Sequence, residues 1–268
     1  MKLDKRKKYL QISFNNSLLE AQRIIQDLPI SDRILIEAGT PLIMQYGMDA
    51  LISLRRYLTG EPSTNYSYPN NLTTASLLKL LLLNSLDLES FQNKTSQTKK
   101  PNFSGKQFSS SGQYIMADIK CADLADKEID IAYRAGANAI TCLGLAPIET
   151  IDNFIQKCRQ IGLDSAIDMI NVENPLLVLQ KLQNPPDIVI LHRGVDEIKN
   201  SNKQIPYYQI KQIKGIYGIL VAVAGVDNLA NVEEAFFNDA DIVVLWQKFY
   251  SYSGESINLV KRVLAKIS

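Results

Sequence analysis

The chain has 268 residues, of which 46% are hydrophobic and 21% charged, and its formal net charge is +1. This length and composition fit one large globular domain, and so balanced a charge argues against a nucleic-acid-binding surface. The longest apolar run, at 77–83, is interrupted by Lys79, and the basic N-terminus is followed by an alternating stretch. Neither a membrane-spanning helix nor a signal sequence is therefore expected, and we expect a cytoplasmic protein.

Cysteine and histidine usage narrows the chemistry further. The three cysteines have no C-x-x-C spacing, and their odd number argues against a disulfide framework, so we expect buried thiols at Cys121, Cys142 and Cys158. A single histidine, His192, excludes a zinc site built from several histidines.

Short, continuous, β-branched runs alternate with helical patterns along most of the chain. The predicted strands are Tyr9–Phe14, Ile34–Ile36, Tyr114–Asp118, Ala139–Cys142, Ser165–Met169, Asp187–Leu191, Ile219–Val223 and Ile242–Leu245. The predicted helices are Leu18–Leu28, Leu42–Tyr57, Leu124–Arg134, Pro147–Ile161, Pro175–Leu182, Tyr207–Lys214, Leu229–Phe237 and Glu255–Ile267. Eight such units predict an α/β fold, a (β/α)8 TIM barrel. The rival, a doubly wound open sheet, is disfavoured because no G-x-G-x-x-G follows the first strand.

Residues 58–113 break this rhythm. They are rich in Ser, Asn, Thr, Lys and Gln, and only Thr74–Phe91 has a helical pattern. We interpret 58–113 as a partly helical insertion between helix 2 and strand 3 of a single barrel domain spanning residues 1–268. A stretch of this length in a compact domain is expected to be functional or flexible, and a lid over the barrel mouth is one hypothesis.

Polar side chains follow the ends of several predicted strands, at Asn15, Glu37, Asp118, Lys120, Asp168 and His192. In a barrel these strand ends form one mouth, where active sites lie. Glu37 and Asp118 offer the hard oxygen ligands that suit Mg²⁺, with Mn²⁺ as an alternative. Alternation along an extended strand would place Lys120 on the same side as Asp118, where it could stabilise or protonate an enolate oxygen. His192 suits proton transfer near neutral pH.

A purely structural interpretation of the same stretch is also available. Asp123 would then cap the helix that follows, while Asp118 and Lys120 would be exposed loop residues. A lone histidine after a strand is also often only a structural hydrogen-bond donor. The matching positions of Glu37 and His192 at other strand ends favour a functional site.

Three segments, Leu10–Phe14, Ile36–Ile43 and Ala117–Asp123, carry motifs in an order that resembles the 3-hexulose-6-phosphate synthase family. That family groups with orotidine 5′-phosphate decarboxylase and 3-keto-L-gulonate 6-phosphate decarboxylase, and all share an Asp-x-Lys-x-x-Asp motif, here Asp118 to Asp123. The resemblance covers the chain except the N-terminal arm and the insertion.

The resemblance implies a dimer of barrels with sites at the interface, in which Asp123 reaches into the neighbouring site. It implies that Glu37 and Asp118 are Mg²⁺ ligands, that Lys120 lies near an enediolate, and that His192 transfers a proton. The implied reaction, that of the ribulose monophosphate pathway, is a reversible aldol addition of formaldehyde to ribulose 5-phosphate. The implied partner is therefore a small sugar phosphate.

Three positions depart from the family pattern. Asn15 stands where the family usually has Asp, Val226 replaces the second of two glycines after strand 7, and Trp246 begins the segment that is a glycine-led phosphate loop in the family. Glycine lets backbone N–H groups approach a phosphate, and tryptophan adds bulk there. We expect substrate contacts from Asn15, Asp168, Arg193, Gly225 and Lys248, with 104–106 as a further source. The alternative is a substrate that lacks a phosphate at this position.

The first functional hypothesis is a Mg²⁺-dependent aldehyde-lyase that acts through an enediolate. The second is a decarboxylase of the same group. The third is a non-catalytic barrel kept for binding or assembly, with the insertion as its contact surface.

Overall fold

The computed structural model describes residues 2–60, 113–198, 204–226, 228–246 and 254–267. Eight parallel strands pair in chain order and close into a barrel, with β8 against β1. They are β1 (Tyr9–Phe14), β2 (Ile34–Ala38), β3 (Ile115–Cys121), β4 (Ala139–Leu143), β5 (Asp164–Asp168), β6 (Ile188–His192), β7 (Leu220–Ala224) and β8 (Ile242–Leu245). The predicted (β/α)8 barrel is confirmed.

Helices alternate with these strands. They are α1 (Leu18–Asp27), α2 (Thr40–Tyr46), α3 (Asp49–Thr59), α4 (Ala125–Arg134), α5 (Ile148–Ile161), α6 (Pro175–Leu179), α7 (Val195–Ile198), α8 (Tyr208–Ile216), α9 (Leu229–Phe237) and α10 (Gly254–Ile267). The short α7 was not predicted. None of the helices in the described ranges is long and apolar enough to cross a membrane.

The predicted second helix, Leu42–Tyr57, is wrong in one respect. Gly47 has a φ of 60° and ends α2, and α3 begins at Asp49. The left-handed region suits glycine, so the chain turns there instead of continuing one helix. The insertion therefore follows α3 and not the second helix. Residues 61–112, with the predicted helix at 74–91, lie outside the described residues.

The strands are buried on both faces, as their continuous apolar sequences predict. Side chains inside the barrel form one cluster that includes Tyr9, Met116 and Ile188. A larger cluster between the strands and the surrounding helices includes Leu10 and Phe154. Each fully buried large apolar side chain contributes roughly 1.5–3 kcal/mol. The three cysteines are free and buried, as predicted.

A buried carboxylate lies at the N-terminal end of the barrel, where β5 begins. Asp164 accepts a hydrogen bond from the Tyr114 hydroxyl at 2.9 Å and from the backbone N–H of Lys2 at 2.8 Å. Neighbouring Asp187 accepts from the backbone N–H of Ser165 at 2.9 Å. These hydrogen bonds hold the N-terminal arm and the neighbouring strands together at this end of the barrel.

Arg55 of α3 ties that helix to the start of β3. Its guanidinium donates to the carbonyl oxygens of Gln113 and Gly136, and to Oδ1 of Asn138 at 2.6 Å. Asn138 Oδ1 also accepts from the backbone N–H of Ile115 at 2.9 Å. Gln113, where the described chain resumes, is thus bonded to α3, the last described helix before residue 61.

Candidate active site

The C-terminal strand ends bring five of the predicted site residues into one connected network, made of Glu37 on β2, Asp118 and Lys120 on β3, Asp168 at the end of β5 and His192 at the end of β6. These are the ends at which barrel enzymes bind their substrates. The convergence follows from the fold, because parallel strands of similar length present their last residues at the same rim.

Lys120 lies between two carboxylates. Its Nζ donates to Asp168 Oδ2 at 2.8 Å and to Asp118 Oδ2 at 3.0 Å, and its side chain is 25% exposed. Burial lowers the pKa of Lys120, but the charges of Asp118 and Asp168 outweigh it and raise the pKa above its usual value. Lys120 is therefore an ammonium cation at every pH at which the fold would operate.

A β-bulge sets the direction of Lys120. Between Ala117 and Cys121 β3 advances four residues, while β4 advances only two, from Ile140 to Cys142. Lys120 has a φ of 52°, a left-handed conformation that costs a non-glycine residue about 1–3 kcal/mol. The expected alternation along an extended strand is therefore wrong, as is the predicted end of the strand at Asp118. The bulge brings Lys120 to Asp118 instead.

Asp168 joins Lys120 to the single histidine. Nδ1 of His192 lies 2.9 Å from Asp168 Oδ2 and 3.0 Å from Oδ1. Burial raises the pKa of Asp168, but the hydrogen bonds and charges of His192 and Lys120 lower it to about 2. Burial lowers the pKa of His192, and Asp168 reverses this and raises it. With its Nδ1 proton directed at Asp168, the imidazole has Nε2 left for proton exchange.

Glu37 is buried and hydrogen-bonded from β1. Its Oε1 accepts from the Ser13 hydroxyl at 2.6 Å, and its Oε2 accepts from Nε2 of Gln11. Burial, followed by the charge of Asp118, raises the pKa of Glu37 to about 7. A carboxylate whose ionisation is opposed by burial and by a neighbouring negative charge gains from a cation placed beside it.

This donor set fits Mg²⁺ or Mn²⁺. Carboxylate oxygens are the ligands that such hard cations prefer, with water and substrate oxygens completing the shell. Among the described residues no cluster of three or more His, Cys, Asp or Glu side chains could hold a metal ion. Within the described ranges, Glu37 and Asp118 are the carboxylates that would hold the cation, and water and substrate oxygens would complete its shell.

Sequence reasoning missed four polar side chains around these acids, namely Gln11, Ser13, Thr40 and Thr141. The signal for the first two was available. Gln11, Ser13 and Asn15 recur at every second position of a buried strand, so all three face one side, which is the barrel interior.

Asn15 lies beside this group. Its Nδ2 donates to Ser13 Oγ at 3.0 Å. A Cβ on Gly39 would lie 2.0 Å from Asn15 Oδ1, so the close contact between this side chain and β2 requires glycine at position 39.

Two more residues that were predicted to contact substrate, Gly225 and Arg193, directly follow β7 and β6. Gly225 has a φ of 94°, and a Cβ there would lie 2.4 Å from the carbonyl oxygen of Arg193. Val226 is fully buried and Trp246 is partly buried directly after β8. Lys248 lies outside the described residues.

Asp123 is exposed, and its Oδ1 accepts a hydrogen bond from the backbone N–H of Leu124 at 2.8 Å. The N-cap of α4 is Leu124, with φ 54° and no side-chain cap. The interpretation of Asp123 as the helix cap is therefore wrong, because the left-handed Leu124 separates it from the first helical turn.

A family model described as "Orotidine 5'-phosphate decarboxylase / HUMPS family" matches residues 106–243. The chain belongs to this family. The resemblance inferred from the sequence motifs is confirmed at this level.

Curated relatives include the bifunctional enzyme Fae/Hps of Methanocella arvoryzae, which is 33% identical over 242 residues. The match covers 88% of this chain and 48% of the relative, so the chain spans about half the length of this curated relative.

A crystal structure of 3-hexulose-6-phosphate synthase from Salmonella typhimurium superposes with a TM-score of 0.68 at 18% identity, covering 97% of this chain and 100% of the other. A ligand-bound crystal structure of KGPDC from Streptococcus mutans gives 0.62 at 16% identity, covering 97% and 99%. These structures share the barrel fold.

Proposed function

We propose that the chain is an aldehyde-lyase that catalyses the reversible aldol addition of formaldehyde to ribulose 5-phosphate, the 3-hexulose-6-phosphate synthase reaction. The observation that carries this proposal is the position of the Lys120 ammonium between Asp118 and Asp168 at the barrel mouth, with Glu37 beside Asp118. The Hps part named in its curated relatives, 3-hexulose-6-phosphate synthase, supports the same activity.

The chemistry of an aldol addition to a ketose asks for two things. A proton must leave the carbon next to the carbonyl, and the negative charge of the resulting enediolate must be stabilised. Lys120 supplies a positive charge held in place by Asp118 and Asp168, and a fixed charge of this kind stabilises a developing negative charge most effectively in a partly buried site. His192, oriented by Asp168, supplies a group that can accept and return a proton.

Glu37 and Asp118 are the residues that would hold the divalent cation. When bound, the cation would offset negative charge on substrate oxygens. Both carboxylates must be ionised to bind it, so Glu37 would lose its proton on binding.

The substrate class we propose is a sugar phosphate. Gly225 supplies a glycine backbone at the end of β7, and the backbone carbonyl and Cβ of Arg193 lie against it. We propose that the phosphate approaches this glycine backbone and that the Arg193 side chain supplies a positive charge nearby. The sugar-phosphate complex of the Streptococcus mutans protein supports this class for the fold. We propose that the side chains of Val226 and Trp246 narrow the space for the phosphate at this rim and that Lys248 contributes a further contact.

We also propose a homodimer in which Asp123 completes the neighbouring site. Asp123 is exposed only two residues beyond β3, and the next residue, Leu124, leaves an apolar side chain 63% exposed. An exposed carboxylate beside an exposed leucine near the mouth is suited to an interface at which a site is shared.

The test is release of formaldehyde from hexulose 6-phosphate in the presence of Mg²⁺. We expect turnover by the wild type, and a loss of about 10³-fold in Lys120→Ala, because the charge that stabilises the enediolate is removed. Lys127→Ala is the matched control, since Lys127 is an exposed lysine in the following helix and its loss should leave turnover unchanged.

Two results would redirect the proposal. Release of carbon dioxide from 3-keto-L-gulonate 6-phosphate without formaldehyde chemistry would identify a decarboxylase of the same family. If the protein catalyses neither reaction and calorimetry detects no Mg²⁺ binding, a binding or assembly role would be supported. Full formaldehyde release by Lys120→Ala would refute the mechanism.

A further inference from the structure

We propose that Thr141 is a positioning residue that holds Lys120 and Asp118 in a single geometry at the barrel mouth. Thr141 lies on β4 between Ile140 and Cys142, directly opposite the bulge of β3. Its hydroxyl donates to Asp118 Oδ1 at 2.8 Å and accepts from the backbone N–H of Lys120 at 2.9 Å. Thr141 is 1% exposed, so water does not compete freely for these bonds.

The bulge explains why a side chain is needed there. Where β3 advances by more residues than β4, the regular ladder between the strands is interrupted, and the N–H of Lys120 bonds to a side chain instead of a carbonyl oxygen of β4. A buried backbone N–H without a partner is strongly unfavourable. The Thr141 hydroxyl meets the requirement, because one hydroxyl can accept one hydrogen bond while donating another.

The same bond preserves the left-handed conformation of Lys120. A non-glycine residue keeps a positive φ only where the surrounding structure over-determines it. Without the Thr141 hydroxyl, β3 can relax toward extended pairing with β4. That relaxation would carry Nζ away from Asp168, which it now contacts at 2.8 Å.

Thr40 provides an internal comparison. Its hydroxyl lies 2.8 Å from the carbonyl oxygen and 3.0 Å from Oδ2 of Asp118, and its single proton can serve one of these acceptors at a time. Thr40 therefore contacts Asp118 through Oδ2, whereas Thr141 uses Oδ1. Of these two threonines, it is Thr141 that also binds the backbone of Lys120.

The first experiment measures the reactivity of Lys120 and does not depend on turnover. Thr141→Val keeps the β-branched shape and removes the hydroxyl, Thr141→Ser keeps the hydroxyl, and Thr40→Val is the matched control. Each protein is acetylated with an N-hydroxysuccinimide ester, and labelling of Lys120 relative to exposed Lys127 is followed by peptide mass spectrometry.

We expect Lys120 to be labelled several-fold faster in Thr141→Val than in the wild type, because relaxation of the bulge would move Nζ out of its contacts with Asp168 and Asp118 and leave it open to the reagent. Thr141→Ser should retain the wild-type rate, and Thr40→Val should show a smaller increase. Equal labelling of Lys120 in the wild type and Thr141→Val would overturn the proposal. Equal acceleration in both valine variants would also overturn it, because the hydroxyl would then act through Asp118 alone. Thr141→Ala gives the same test if the valine variant does not fold.

The kinetic experiment rests on the proposed aldehyde-lyase function. We expect Thr141→Val to lower kcat by about 10²-fold with little change in KM, since a misplacement of about 1 Å has that effect on a reacting group. Thr141→Ser should restore kcat. If the wild type turns over none of the tested sugar phosphates but the labelling differs as expected, the positioning role stands and the proposed reaction fails.

Discussion

Strand β5 carries a buried aspartate at each end, and the two ends differ in their partners. Asp164 begins the strand and Asp168 ends it, and each is 1% exposed. Asp164 receives neutral donors, the Tyr114 hydroxyl and the Lys2 backbone N–H. Asp168 receives Lys120 and His192. Burial therefore raises the pKa of Asp164, whereas the charged partners overcome burial and lower the pKa of Asp168 to about 2.

The two aspartates are equally inaccessible to solvent, yet their pKa values shift in opposite directions. At Asp164 burial outweighs the hydrogen bonds from Lys2 and Tyr114, and the charge of Asp187 adds to the rise. At this N-terminal end the carboxylate joins parts of the chain together. At the C-terminal end Asp168 holds a lysine and a histidine in place and raises the pKa of both. This division agrees with the general separation in barrels between a stabilising face and a reactive face.

Replacing Asp168 tests the reactive end and has the largest expected effect. We expect Asp168→Asn to reduce turnover of hexulose 6-phosphate by about 10²–10⁴-fold, because it removes the charge that holds His192 and Lys120. His192 is the single histidine, so its ring resonances can be followed without ambiguity by NMR. Its pKa should fall in the variant, because Asp168 is what raises it. An unchanged His192 titration would contradict this picture.

Glu37 offers an intermediate effect that depends on pH. Because its pKa is raised to about 7, Glu37 is protonated below that pH, and cation affinity should fall about tenfold for each unit of pH below it. In the cation-free protein, the stability that Glu37 contributes changes with pH in the opposite direction to cation affinity. This stability is present at low pH and is lost as pH rises through about 7.

Calorimetry with Mg²⁺ at about pH 6 and about pH 8 measures the expected dependence. Glu37→Gln should weaken binding roughly 10–100-fold and abolish the dependence on pH. Equal affinity of the wild type at both pH values would show that Glu37 does not bind the cation.

Replacing Asp164 has the smallest expected effect on function. Asp164→Asn places an amide N–H₂ or a single oxygen where two donors now converge, so the free energy of unfolding should fall by about 1–3 kcal/mol. Urea denaturation measures this loss, and turnover should remain that of the wild type. A large loss of turnover in the folded variant would erase the distinction between the two ends of β5.

The barrel and the cluster of charged side chains at its C-terminal rim could be predicted from the sequence, because both depend on local patterns. Continuous apolar strands indicate a parallel sheet, and polar residues after each strand then meet at one rim. Gln11 and Ser13 were missed although their alternation in β1 was visible. Thr141 could not be identified in this way, because its role depends on the register between β3 and β4.

The break in the second predicted helix could not be identified from the sequence either. An apolar pattern with helical spacing continues across residues 42–57, and a single glycine within it does not reveal whether the helix continues or turns. In the structure Gly47 has a φ of 60°, and α3 begins at Asp49. Glycine permits this turn but does not require it, so the residue alone was not enough to place the boundary.

The Arg55 contacts have a consequence for how this barrel tolerates change. Because Arg55 fixes Gln113, Gly136 and Asn138 to α3, the re-entry point of the chain is defined by bonds within the barrel itself. The entropy of closing a connection grows only with the logarithm of its length, so each doubling costs about 0.6 kcal/mol. An arginine anchor of this kind would let the length of the segment between residues 60 and 113 change while the C-terminal rim of the barrel keeps its geometry.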